Sequence, residues 1–146
     1  MTRTKKLAPV VQHVDEKEQT ALKAVAFSQQ QLLHQEQRLQ QLKEYRQEYA
    51  EQHRAGSGVS YSAVQFQEFN RFLSQLDDTI EQQQQLVRLA QREVEVKRQH
   101  WQLSRSRSDA MHKMVDRIHQ SEQKQAEKIE QKFMDEVALR QSIKDN

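Results

Sequence analysis

From residue 11 to residue 49, twelve positions follow one another at steps that alternate between three and four, and eight of them are apolar: Val11, Val14, Ala21, Val25, Leu32, Leu39, Leu42 and Tyr49. An average step of 3.5 residues is the heptad, with residues 11, 18 and 25 at a and residues 14, 21 and 28 at d, and it keeps one narrow apolar stripe on one face of a helix. A second stripe runs through Phe66, Phe69, Leu73, Leu76, Ile80, Val87, Ala90, Val94, Trp101, Met111, Val115 and Ile118, and more weakly through Ile129, Leu139 and Ile143. Such a chain can bury a seam between helices and little else.

The break between the stripes holds both glycines of the chain, in Arg54-Ala55-Gly56-Ser57-Gly58-Val59-Ser60. Glycine ends helices because it enters the left-handed region without steric cost. Ser62 followed by Gln65 has the spacing of a capping box, in which each side chain bonds the other residue's main-chain N–H at a helix start. Pro9, the lone proline, suits a first helical turn, where a missing N–H costs nothing. The expected fold is therefore all-α, one domain over residues 1–146: two long helices in an antiparallel coiled-coil hairpin, helix 1 over about 8–54, a turn over about 55–61 and helix 2 over about 62–142.

Centring the turn between residues 57 and 58 pairs Tyr49 with Phe66, Leu42 with Leu73, Leu39 with Leu76, Val25 with Ala90, Ala21 with Val94 and Val14 with Trp101. It also sets Glu18 opposite Lys97, the acid and base at core positions, a match that registers one heptad away lose. Helix 1 is then expected to run out opposite residue 108 of helix 2, leaving helix 2 to overhang it with an apolar stripe that no intramolecular partner covers.

Only 35% of residues are hydrophobic and the mean hydropathy is −1.06, too polar for a thick core. The 23 basic and 21 acidic residues are interspersed and net to +2, so no polyelectrolyte character draws the chain to nucleic acid or lipid. There is no cysteine, hence no disulfide and no thiol chemistry. No stretch approaches the roughly 20 apolar residues that span a bilayer, and the basic start Met1-Thr2-Arg3-Thr4-Lys5-Lys6 leads into no apolar signal region. A cytoplasmic protein without direct membrane insertion is expected.

Catalysis requires a water-excluding pocket, and a two-helix seam offers none. No phosphate-binding loop, nucleophile elbow or carboxylate cleft occurs, so the expectation is no enzyme, no cofactor and no metal. His112, Asp116 and His119 share a helix face in a way that suits a metal, but charged helices produce such triplets readily and a fourth ligand is lacking. Arg105-Ser106-Arg107-Ser108 carries two arginines without an aromatic platform, and reads as a polar interruption where helix 1 ends. The informative cluster is aromatic. Tyr45 and Phe72 both occupy g positions, which face each other across an antiparallel pair, so the two rings should lie side by side on one flank above Leu42, Tyr49 and Leu76. They either thicken a thin core or form a contact patch.

The runs Leu42-Lys43-Glu44-Tyr45-Arg46-Gln47-Glu48-Tyr49 and Phe69-Asn70-Arg71-Phe72-Leu73-Ser74-Gln75-Leu76-Asp77-Asp78-Thr79-Ile80 resemble the flagellar export protein FliJ family, and the likeness extends over the chain in length, hairpin layout and turn position. The resemblance implies a component of the bacterial flagellar type III export apparatus, serving motility and chemotaxis from the inner face of the cell membrane. It implies three partners: the export ATPase ring, whose bore receives the end bearing both termini, the membrane export gate protein, and the export chaperones. The gate stripe of the family carries over to Leu42, Tyr45, Tyr49, Phe72 and Leu76, while Arg38, Thr79 and Gln83 stand at its remaining positions and depart from the family's residues there. Met111, Val115, Ile118, Ile129 and Phe133, on the overhang, are the candidates for the ATPase ring. An injectisome stalk protein or an unrelated dimerising scaffold would share the fold; the isolated chain is expected to be a monomer.

Overall fold

The computed structural model describes residues 2–53 and 62–145, and the expected turn at Gly56 and Gly58 lies outside them. The protein is all-α: α1 spans Arg3–Gln52 and α2 spans Ala63–Lys144. The chain divides into a middle unit, Ala21–Trp101, and a terminal unit, Met1–Thr20 with Gln102–Asn146, and in each the two helices pack side by side and antiparallel.

In the middle unit the seam is made by Ala21, Val25, Leu76, Ile80, Val87 and Val94, together with Ser28 and Gln83. These lie on the a and d positions, and among the described residues no large side chain is fully buried, as the narrow stripe dictates. The small residues Ala21 and Ser28 are among the best buried. Ser28 satisfies its hydroxyl on its own helix, donating to the Val25 carbonyl at 2.7 Å.

The capping box is present: the Ser62 N–H donates to Gln65 Oε1 at 2.9 Å and the Gln65 N–H to Ser62 Oγ at 3.2 Å. The start of α1 differs from expectation. Thr2, not the neighbourhood of Pro9, begins it, with Thr2 Oγ1 accepting the Lys5 N–H at 3.3 Å as an N-cap does. Pro9 therefore lies inside the helix, at the cost of the bond its nitrogen cannot donate.

The register also differs. The expected pairing sets Arg46 against Phe69 and Gln35 against Ile80, but Arg46 is paired with Asp77 and Gln35 with Gln83. In the terminal unit Asp15, expected opposite His100, meets Ser108 and His112. The partners lie further along α2 than expected, by three residues for Gln35 and by eight or more for Arg46 and Asp15. A seven-residue repeat makes neighbouring registers alike in apolar matching, so polar partners decide between them. Lys97, placed in the expected register by Glu18, is ion-paired with Glu93 on its own helix at 3.5 Å.

Both shifts lengthen the covered part of α2. The Thr4 N–H and Oγ1 donate to the two carboxylate oxygens of Glu122, at 3.4 and 2.8 Å, so α1 accompanies α2 well past residue 108. Ser104 and Ser108 are buried; the serine-arginine segment is seam, not the end of the pairing. Met111, Val115 and Ile118, expected on a bare overhang, are half-buried, and the uncovered stretch of α2 begins after Glu122.

Candidate functional site

Near residue 53 the two helices contribute an interlocked set of rings. Tyr49 of α1 sits over Phe69 and Phe72 of α2, with ring centres 5.5 and 4.6 Å away. Tyr45 lies edge-on to Phe72 at 6.4 Å, the side-by-side placement that two g positions dictate. His53 extends the set, stacked on Phe69 at 5.4 Å and against Tyr49 at 4.3 Å, with its Nδ1 at 3.0 Å from the Tyr49 carbonyl oxygen. Phe66, expected opposite Tyr49, instead neighbours Phe69 at 6.4 Å and is exposed.

Because a two-helix seam has only two walls, the rings cannot all be covered. Tyr45 keeps 49% of its surface exposed, while Tyr49 and Phe72 are half-buried. Arg46, on the a stripe, leans to the other side and makes a two-point contact with Asp77. The hydrogen bond and charge of that carboxylate raise the Arg46 pKa above its ordinary value, keeping it a cation throughout the accessible range.

The eight residues expected on the gate-contact stripe thus separate. Arg38, Tyr45 and Thr79 are exposed, and Leu42, Tyr49 and Phe72 are half-buried. Leu76 and Gln83 are buried in the seam, and Gln83 Nε2 donates to Gln35. These two support the flank from below. Residues Phe69 and His53 join the ring cluster without having been singled out: Phe69 reads in the sequence as one more d position, and His53 falls just before the glycine segment, where no periodicity points to it.

Of the overhang candidates, Ile129 and Phe133 are exposed, together with Met134, Val137, Leu139 and Ile143. His112 is engaged with Asp15 at 2.9 Å and His119 with Gln123 at 3.2 Å. Among the described residues no group of three histidine, aspartate or glutamate side chains could hold a metal ion. No described helix is long and apolar enough to cross a membrane.

An antiparallel helix pair agrees with the fold that the sequence resemblance implies. The decisive observation is a family model, Flagellar FliJ protein, which matches residues 4–146. The chain belongs to the flagellar FliJ family. It is accordingly a component of flagellum biogenesis and flagellar protein export. The FliJ match takes in both helices and both units, so the ring cluster and the bare end of α2 lie within it. No curated protein and no solved structure matches the chain.

Proposed function

We propose that this chain couples the export ATPase ring to the membrane export gate, with the gate protein meeting the flank at Tyr45 and the ATPase meeting the bare end of α2. One observation carries the reading: the apolar surface that the helix pairing leaves uncovered includes both a rigid aromatic flank and a terminal stripe. Tyr45 is held by its contacts to Tyr49 and Phe72, so it meets a partner with little rotamer freedom left to lose. Arg38 and Thr79 offer polar contacts beside it, the arrangement of an aromatic anchor with a polar rim. Peripheral association with the inner membrane face follows from the gate contact rather than from any lipid-seeking segment. Export chaperones would use surface outside these two.

In the terminal unit, Ile129 and Phe133 fall on one side of α2 by their spacing of four, and Met134 and Val137 adjoin them. The half-burial of Met111, Val115 and Ile118 moves the ATPase contact toward the carboxyl terminus. Deleting residues from Ala126 onward keeps the Thr4 to Glu122 contact and is expected to abolish stimulation of the ATPase ring while leaving gate binding unchanged. Undiminished stimulation by the truncated protein would refute the assignment.

A further inference from the structure

A second apolar surface lies on the middle unit, away from the ring cluster. A shallow groove of about 340 Å³ runs between the helices, lined by Ala24, Phe27 and Gln31 of α1 and Ala90, Glu93 and Lys97 of α2, with Ser28 at its floor. Phe27 stands in its wall with 64% of its surface exposed. Leu86, Leu89 and Val96 stand seven and four residues before Glu93 and three after it, so they share its face of the helix. All three are exposed. The seam needs none of them. These three large apolar side chains of α2, at heptad-compatible spacing outside the a and d positions, form a stripe of the kind that receives another helix.

The charges beside this stripe are of one sign. Lys23 on α1 and Arg92 on α2 are exposed there, and the one acid lining the groove, Glu93, is engaged by Lys97 at 3.5 Å. A second copy of the chain laid stripe to stripe would bring these cations together, which disfavours self-pairing. A bilayer would meet them favourably, but Phe27 stands in the wall of a groove between two helices, a concavity that a third helix fills and a flat lipid surface does not. We propose that this groove docks an amphipathic helix of another protein, with apolar residues at heptad spacing and acidic residues flanking them, to form a three-helix coiled coil. The site begins beyond Thr79 and does not depend on the gate assignment.

The test is photo-crosslinking in a flagellated cell that makes the full chain, with a benzophenone amino acid at Leu89, and at Val64 as an exposed apolar control. The crosslinked peptide is sequenced by mass spectrometry. The expected product joins Leu89, and not Val64, to a segment with heptad apolar spacing and flanking Glu or Asp. The double variant Lys23→Glu, Arg92→Glu is expected to lower its yield at least about tenfold, since like charges brought together at an interface cost several kcal/mol, with thermal melting unchanged. A crosslink to lipid, to a second copy of this chain, or to a segment without acidic flanks would overturn the proposal. So would a yield at Leu89 no higher than at Val64, or one indifferent to the charge reversal.

Discussion

Gln83 Nε2 donates to both the main-chain carbonyl and the side-chain oxygen of Gln35, at 3.0 and 2.7 Å, across a seam otherwise largely apolar. Gln83 is only 4% exposed. A buried polar pair tolerates no slip of one helix along the other, because every neighbouring register would strand the amide. Gln83→Ala is expected to cost about 1–3 kcal/mol through the lost bonds and the volume removed. Gln83→Leu should melt as high as the parent or higher, yet with a looser register. Spin labels at Gln40 and Asp78 read that loosening directly: one narrow distance distribution in the parent, a broadened one in Gln83→Leu. A narrow distribution in both would remove Gln83 from this role.

At the start of α1, Glu122 plays the part that an acidic first turn would otherwise play. It accepts from Thr4 twice, and these bonds hold its pKa below the ordinary value. A carboxylate at a helix N-terminus also suits the helix dipole. Glu122→Gln is expected to speed amide hydrogen exchange several-fold over residues 4–11, with exchange over residues 24–48 unchanged. Equal exchange across the first two turns in both proteins would contradict the capping role.

Asp15 accepts from both His112 and Ser108 through the same oxygen, at 2.9 and 2.7 Å. The bond and charge of Asp15 raise the His112 pKa above 6.5, and the bonds from His112 and Ser108 lower that of Asp15 below 3.8. Stability from a raised histidine is complete below its unfolded value and is lost as pH rises through the folded one. Stability from a depressed carboxylate is present above its unfolded value and is lost on acidification. The pair therefore helps most between about pH 4 and 6.5. Melting temperature should fall from pH 5.5 to pH 8 in the parent and fall less in His112→Gln. Parallel slopes would show that the contact is neutral to folding.

Much of this architecture is legible in the sequence because it is local. The heptads place the helices, and Ser62 with Gln65 marks the start of α2 to within a residue, since a capping box needs only neighbours. The g positions of Tyr45 and Phe72 bring their rings together even in a shifted register, because long aromatic side chains reach neighbouring layers. Two kinds of information were hidden. The register depends on contacts such as Gln35 with Gln83 and Asp15 with Ser108, between residues far apart in sequence that carry no apolar signal. The start of α1 was masked by Pro9, whose preference for a first turn is real but is overridden here by the Thr2 cap and the Glu122 carboxylate. The earlier start and the shifted register together moved the covered part of α2 past Ile118, and with it the candidate ATPase surface.

The proposal rests most heavily on Tyr45 being contact surface rather than core. Half its surface is open, and what it gives the fold is its ring contacts to Tyr49 and Phe72. Truncation should therefore cost about 1 kcal/mol, in the range of an aromatic pair, whereas an interface anchor of this kind is often worth about 2 kcal/mol or more of binding. Leu76, buried beneath the same flank, should behave differently, with Leu76→Ala losing stability by about 2 kcal/mol or more. The deciding measurement pairs circular-dichroism melting with affinity for the gate protein, for the parent, Tyr45→Ala and Leu76→Ala. Tyr45→Ala is expected to melt within a few degrees of the parent, to keep ATPase binding and to lose at least about tenfold in gate affinity, tenfold being 1.4 kcal/mol. If it melts as early as Leu76→Ala, or melts normally and binds the gate as the parent does, the aromatic flank is not the gate contact.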